Sequence, residues 1–195
     1  NLQLNGATGT ITNAVTFLNT GTLTLGASGG TQTYTAGFTA TAPSATTLNG
    51  IINTAAGAVS IGGATQTITL GSATTIQTYS GSGSGANITI SGPIQGTAAN
   101  TQNLNLYSKA GVISLTGAIG STTALGTVTL GDTSQTGAIS ASGAITATAV
   151  SIPAAAYNLS LTGNGSTITN AVTFLNTGTL TLGASGGTQT YTAGF

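Results

Sequence analysis

The sequence predicts an all-β protein, a right-handed parallel β-helix (β-solenoid) of about seven three-sided coils, of roughly 22 residues each, in the repeat unit 1–157. Three observations predict it. Residues 10–38 return letter for letter as residues 167–195, apolar residues recur in short dyads at steady spacing, and the chain carries one cationic and one anionic side chain, Lys109 and Asp132.

Extending the two copies back to residues 1 and 158 keeps 33 of 38 positions identical at one constant offset. Repeats of that fidelity mark a tandem array. Residues 1–157 are therefore expected to form one complete unit of a continuous solenoid, and residues 158–195 the start of the next. The 195 residues then read as an excerpt.

Along the chain, helical templates fail and period-2 templates succeed. Apolar-x-apolar dyads appear as Leu2/Leu4, Val15/Phe17, Leu23/Leu25, Val59/Ile61, Ile68/Leu70 and Ile88/Ile90. They continue as Leu104/Leu106, Ile113/Leu115, Val128/Leu130, Val150/Ile152 and Leu159/Leu161. The residue between is small or polar, so each dyad buries two side chains and exposes one. Glycine follows most dyads closely, as at Gly26, Gly62, Gly92, Gly117 and Gly131, where corners are expected. Val15, Leu23, Val59, Ile68, Leu104, Ile113, Val128 and Val150 are the predicted core.

Spacing selects the architecture. One series of strand centres runs through residues 16, 37, 60, 77, 105, 129, 151 and 173, and a second through 24, 47, 69, 89, 114, 139, 160 and 181. A third passes through Ile11, Tyr34, Ile52, Ile76, Ile94, Ile119, Ile145 and Ile168. Three columns keeping pace describe triangular coils. The rival fold, tandem β-sandwich domains, gives no reason for the series to advance together.

The solenoid also accounts for the composition. Coils stack at about 4.8 Å, so equivalent side chains lie over one another. Stacked like charges repel, whereas Thr, Ser and Asn can hydrogen-bond along the ladder. An array of Ile, Leu and Val in place argues against disorder despite the abundance of Gly, Ser and Thr.

The same composition removes most chemistry. One carboxylate cannot supply the acid/base pair of glycoside hydrolysis, and Ser or Thr nucleophiles lack a positioned base because His is absent and Lys109 stands alone. A metal cluster cannot be assembled from Asp132 without His or Cys. The Gly81-Ser82-Gly83-Ser84-Gly85 run has no Lys-Ser/Thr after it and reads as a loose corner. The expectation is a non-enzyme with no catalytic, cofactor-binding or metal residues and no cofactor. Nucleic acid is not an expected partner with a single cation, and no run is long enough for a membrane-spanning helix.

Smaller features carry their own expectations. Lys109 and Asp132, one coil apart by the same count, are expected to pair across adjacent coils. Phe17, Phe38 and Phe174 read as core, while Tyr34, Tyr79, Tyr107 and Tyr157 lie at strand ends, where each ring is expected to cap the core with its hydroxyl in water. Thr-x-Thr triplets at 10–12, 22–24, 67–69, 127–129 and 146–148 resemble ice-binding arrays but fall in different columns, which favours ladder bonding. Asn87, Asn158 and Asn164 begin Asn-x-Ser/Thr sequons.

The strand phrases LTLG (23–26), VSIGG (59–63), ITISG (88–92) and VISLTG (112–117), linked by Gly/Ser/Thr turns without Cys, resemble the long repeat regions of filamentous-haemagglutinin-like proteins. These are very large bacterial surface or secreted β-strand-repeat proteins, including two-partner-secretion and autotransporter adhesins. The resemblance implies a β-helical rod at the cell surface, serving adhesion, biofilm or sheath structure. The expected function is a structural segment of an extracellular fibre or adhesin stalk whose partner is itself. The alternative expectation is a solenoid that binds glycan, ice or mineral through exposed Thr/Asn ladders.

Overall fold

A computed structural model describes residues 1–81 and 83–195. Among the described residues there is no helix, and every strand pair and isolated bridge is parallel. This is a parallel β-solenoid, as the sequence predicts, and it excludes antiparallel sandwiches.

The strands stack into three faces. The first holds β1 (Leu2–Leu4), β4 (Thr22–Leu25), the leading halves of β7 (Ala45–Asn53) and β9 (Thr67–Gln77), and β11 (Ile94–Gly96). It continues through bridges at Ile119 and Ile145 to the start of β16 (Thr146–Ser151), then β18 (Ser166–Ile168) and β20 (Gln189–Tyr191). The second face holds β2 (Thr8–Ile11), β5 (Thr31–Tyr34), the trailing halves of β7 and β9, β12 (Leu104–Tyr107), β14 (Leu125–Leu130) and the end of β16, and reaches Phe174 through a bridge from Ile152. The third is a separate eight-stranded sheet: β3 (Val15–Thr16), β6 (Phe38–Ala40), β8 (Val59–Ile61), β10 (Ile88–Ile90), β13 (Ile113–Leu115), β15 (Ile139–Ala141), β17 (Leu159–Leu161) and β19 (Leu180–Leu182). The first two faces share one sheet because β7 and β9 turn the corner unbroken, with a register shift in β7 between Leu48 and Gly50.

The dyads are the reason these segments are strands. Leu23, Val59, Ile68, Leu104, Ile113, Val128 and Val150 are buried and their polar neighbours point out. Val15 is the exception: it packs on the core from the first coil of its face and is only half-buried, with no strand before β3 to cover it.

The three series drawn from spacing each cross from one face to the next at the same place. Residues 16, 37 and 60 belong to the third face but 77, 105 and 129 to the second; residues 24, 47 and 69 belong to the first but 89, 114 and 139 to the third. The third series leaves the second face after Ile76 and joins the first at Ile94. The cause is one long coil. Val59 stacks on Ile88, a longer step along the chain than from Val15 to Phe38 or from Phe38 to Val59. A step of about 22 residues across the long coil lands one strand short.

Candidate functional site

Outward ladders are the most regular surface feature. On the third face, each strand exposes a single hydroxyl, and the register stacks them as Thr16, Thr39, Ser60, Thr89, Ser114, Ser140, Ser160 and Thr181 without interruption. The second face is mixed: Thr31, Ile51, Thr75, Asn105, Thr129 and Ser151 stack in order, with Asn105 Nδ2 donating to Thr75 Oγ1 at 3.1 Å. The Thr-x-Thr triplets are divided between faces, 22–24, 67–69 and 146–148 on the first and 10–12 and 127–129 on the second. The all-hydroxyl column lies on neither; it comes from single Ser or Thr residues inside very short strands.

Lys109 and Asp132 do not pair. Leu104 stacks on Val128 and Leu106 on Leu130, a register that by extension sets Ser108, not Lys109, level with Asp132. Both charges instead converge on Tyr79. The Lys109 Nζ sits 4.2 Å from the Tyr79 ring centroid and donates to the carbonyls of Gly81 and Gly83 at 3.1 and 3.0 Å. The Tyr79 hydroxyl donates to Asp132 Oδ2, and Asp132 Oδ1 accepts from Ser134 N. A cation over the ring and a carboxylate at the hydroxyl thus tie down the corner of the long coil. Burial raises the Tyr79 phenol, and the hydrogen bond and charge of Asp132 raise it further.

The phenols set an alkaline limit on stability. Burial holds Tyr34 and Tyr157 up to about 12. A raised folded value means stability is complete below the ordinary phenol range near 10 and is lost as pH rises through the folded values. Unfolding midpoints are therefore expected to fall only above about pH 10. Asp132→Asn is expected to lower the phenols of both Tyr79 and Tyr107 toward the ordinary range, with burial still holding each above it, read by tyrosinate absorbance; an unchanged titration would remove Asp132 as a cause.

Tyr34 and Tyr157 are not strand-end caps with wet hydroxyls. Both are fully buried, with Tyr34 donating to Gln32 Oε1 at 2.9 Å and Tyr157 donating to the carbonyls of Leu130 and Pro153, each at 3.3 Å. Tyr79 and Tyr107 are the half-buried ones. Phe17 and Phe38 are core, whereas Phe174 is only partly covered.

Inward glutamines went unread in the sequence. Gln135, fully buried, donates to the carbonyls of Gly111 and Gly137 at 3.1 and 2.8 Å and accepts from Ser108. Gln189 donates likewise to Leu161 and Gly163, Gln32 to Leu4, and Gln66 and Gln102 donate to threonine hydroxyls. These amides satisfy carbonyls and hydroxyls that turn inward at corners. A signal was present: inward Gln follows Thr or Ser (31–32, 65–66, 101–102, 134–135, 188–189), while the outward Gln3, Gln77 and Gln95 follow Leu or Ile. The sequon asparagines are also corner pieces, Asn87, Asn158 and Asn164 accepting the backbone N–H of Val112, Thr179 and Thr188 one coil on.

A cavity of about 240 Å³ lies against the N-terminal coil, lined by Leu4, Thr8, Ile11, Gln32 and Tyr34 among others. One unit on, β15 and β16 cover the same positions: Ile168 is 1% exposed where Ile11 is 38%. The cavity is the uncovered end of the core. Among the described residues no group of three or more His, Cys, Asp or Glu side chains comes together, and no helix is long and apolar enough to cross a membrane. Comparison with protein-family models, curated proteins and solved structures finds no match in any of the three.

Proposed function

We propose that this chain is a structural segment of an extracellular fibre or adhesin stalk at the cell surface, a stiff rod that associates with itself. The carrying observation is the third face: eight stacked Ser and Thr hydroxyls with no charged side chain among them. Net charge ordinarily keeps identical surfaces apart, and here it is zero from one cation and one anion. Both charges are held in the Tyr79 corner rather than on a flat face. Edges of exposed strands are usually blocked by Lys, Glu or Pro, and only Pro43, Pro93 and Pro153 are available. The sequence resemblance to filamentous-haemagglutinin-like repeat regions supports the surface location.

Association is expected to be insensitive to salt, because nothing ionic is there to be screened. Light scattering from about 0.01 M to 1 M salt, where the Debye length falls from ~30 to ~3 Å, should show the same bundle size. Dissolution of bundles by salt, or single rods throughout, would overturn the reading.

The unbroken hydroxyl column also favours a second reading, in which that face binds a glycan, ice or mineral surface. Thr39→Lys with Thr89→Lys separates the two. A binder loses its ligand, whereas a stalk keeps its length and loses only lateral contacts.

A further inference from the structure

Two copies of one sequence sit on different faces of this rod. Leu23 stacks on Leu2 in the first face, but Leu180, the same position in the second copy, stacks on Leu159 in the third. β2 and β5 belong to the second face, and their equivalents β18 and β20 to the first. Phe17 follows β3 on the third face, whereas Phe174 bridges Ile152 on the second. All three segments move by one face in the same sense.

The coil itself is unchanged by the move. Gly26 N donates to Leu4 O at 2.9 Å, and Gly183 N to Leu161 O at 2.8 Å; Thr35 N to Ile11 O and Thr192 N to Ile168 O are both 2.9 Å. The ring centroids of Phe17, Tyr34 and Phe38 stand 6.1, 5.9 and 4.9 Å apart, and those of Phe174, Tyr191 and Phe195 stand 6.2, 5.8 and 5.0 Å apart. Inward residues therefore set the shape of a coil but not the side of the rod it starts from.

The order of the faces gives the reason. Between Leu23 on the first face and Leu180 on the third, the chain passes the third face at β6, β8, β10, β13, β15 and β17 before it reaches β19. Those are six whole coils and two further faces. The unit is a third of a coil short of seven.

We infer that successive copies of the unit form a three-fold screw: each presents the same surface turned by one face and advanced roughly 32 Å, returning to its starting side after three units and twenty coils, about 96 Å. A surface column such as Ser60–Thr89–Ser114–Ser140 then steps round the rod, one face per unit. A second rod that reads this column meets it on all three sides in turn, which calls for bundles with neighbours in three directions and not flat sheets. That consequence rests on the self-association proposed above; the screw does not.

The test uses the chain as it stands, which has no cysteine to interfere. Adjacent parallel strands put stacked Cα atoms within the roughly 4.4–6.8 Å that a disulfide spans. Ser60→Cys with Thr89→Cys is expected to oxidise to an intramolecular disulfide in dilute monomer, as is the reference pair Ser114→Cys with Ser140→Cys. Ser60→Cys with Gln77→Cys, on separate faces, is expected to keep free thiols. Closure of the 60/77 pair in place of 60/89 would mean seven whole coils per unit and no screw, and failure of both while the reference pair closes would equally overturn it. Electron microscopy of three units in tandem should then give a rotation of one-third turn per unit; zero rotation contradicts the inference. Bundling is scored separately in the same images, so loss of lateral contacts alone would count against the self-association and leave the screw intact.

Discussion

Gly143→Ala is expected to lower the unfolding midpoint by on the order of 10 °C, while Gly63→Ala leaves it within a degree or two. A Cβ on Gly143 would lie 2.2 Å from the carbonyl oxygen of Gly117 in the coil before it. Gly117 would meet Gly92 at 2.1 Å in the same way, and Gly163 would meet Gly143 at 2.1 Å. Gly92, Gly117, Gly143 and Gly163 thus form a column at the corner between the third and first faces, where backbone lies on backbone. The neighbouring atoms are main chain, so they cannot swing away as the end of a flexible side chain would. Forcing the coils apart is expected to cost about 3 kcal/mol or more. Gly63 has nothing within 4 Å of its would-be Cβ, and a methyl there mainly restricts the unfolded chain. Thermal or denaturant unfolding of the pair checks this. Equal midpoints would show that coils at this corner are further apart than described.

Leu23→Ala and Leu180→Ala are the second pair, the same substitution in the same local sequence. Leu23 is 0% exposed with β1 on one side and β7 on the other, and its loss is expected to cost about 3 kcal/mol. Leu180 is 40% exposed, pairs only with β17, and is expected to cost about 1 kcal/mol or less. The difference measures what one further coil contributes, since stability in a solenoid is largely a sum of nearest-neighbour interfaces. Adding coils beyond residue 195 should raise the cost at Leu180 to that at Leu23. Equal costs in the chain as it stands would contradict the described stacking.

Strand existence was legible from the dyads because so short a strand has only one thing to say, apolar inward and small outward. Leu23, Ile68, Ile113 and Val128 are buried as read. Face assignment was not legible, because the Gly81–Gly85 run marks a loose corner after β9 but does not declare how many residues that corner adds to its coil. The series that placed Ile76 and residue 77 in different columns, although both lie in β9, already contained the slip. The corner chemistry was missed for a different reason. Gln and Asn normally read as surface residues, yet Gln135 and Gln66 lie inside because corner polar groups need partners there. Sequence distance alone brings Lys109 and Asp132 together, and it does not reveal the Tyr79 ring that stands between them.

The claim on which the rest depends is that each face is one column of parallel strands carried unbroken through the long coil. Spin labels at Thr39 and Ser160 measure it directly, because β6, β8, β10, β13, β15 and β17 place those positions five stacking steps apart on the third face. The predicted result in dilute protein is a single narrow distance near ~24 Å, five steps of about 4.8 Å. A broad distribution, or a mean half as long again, would show that the strands do not share a column and would contradict the solenoid described above.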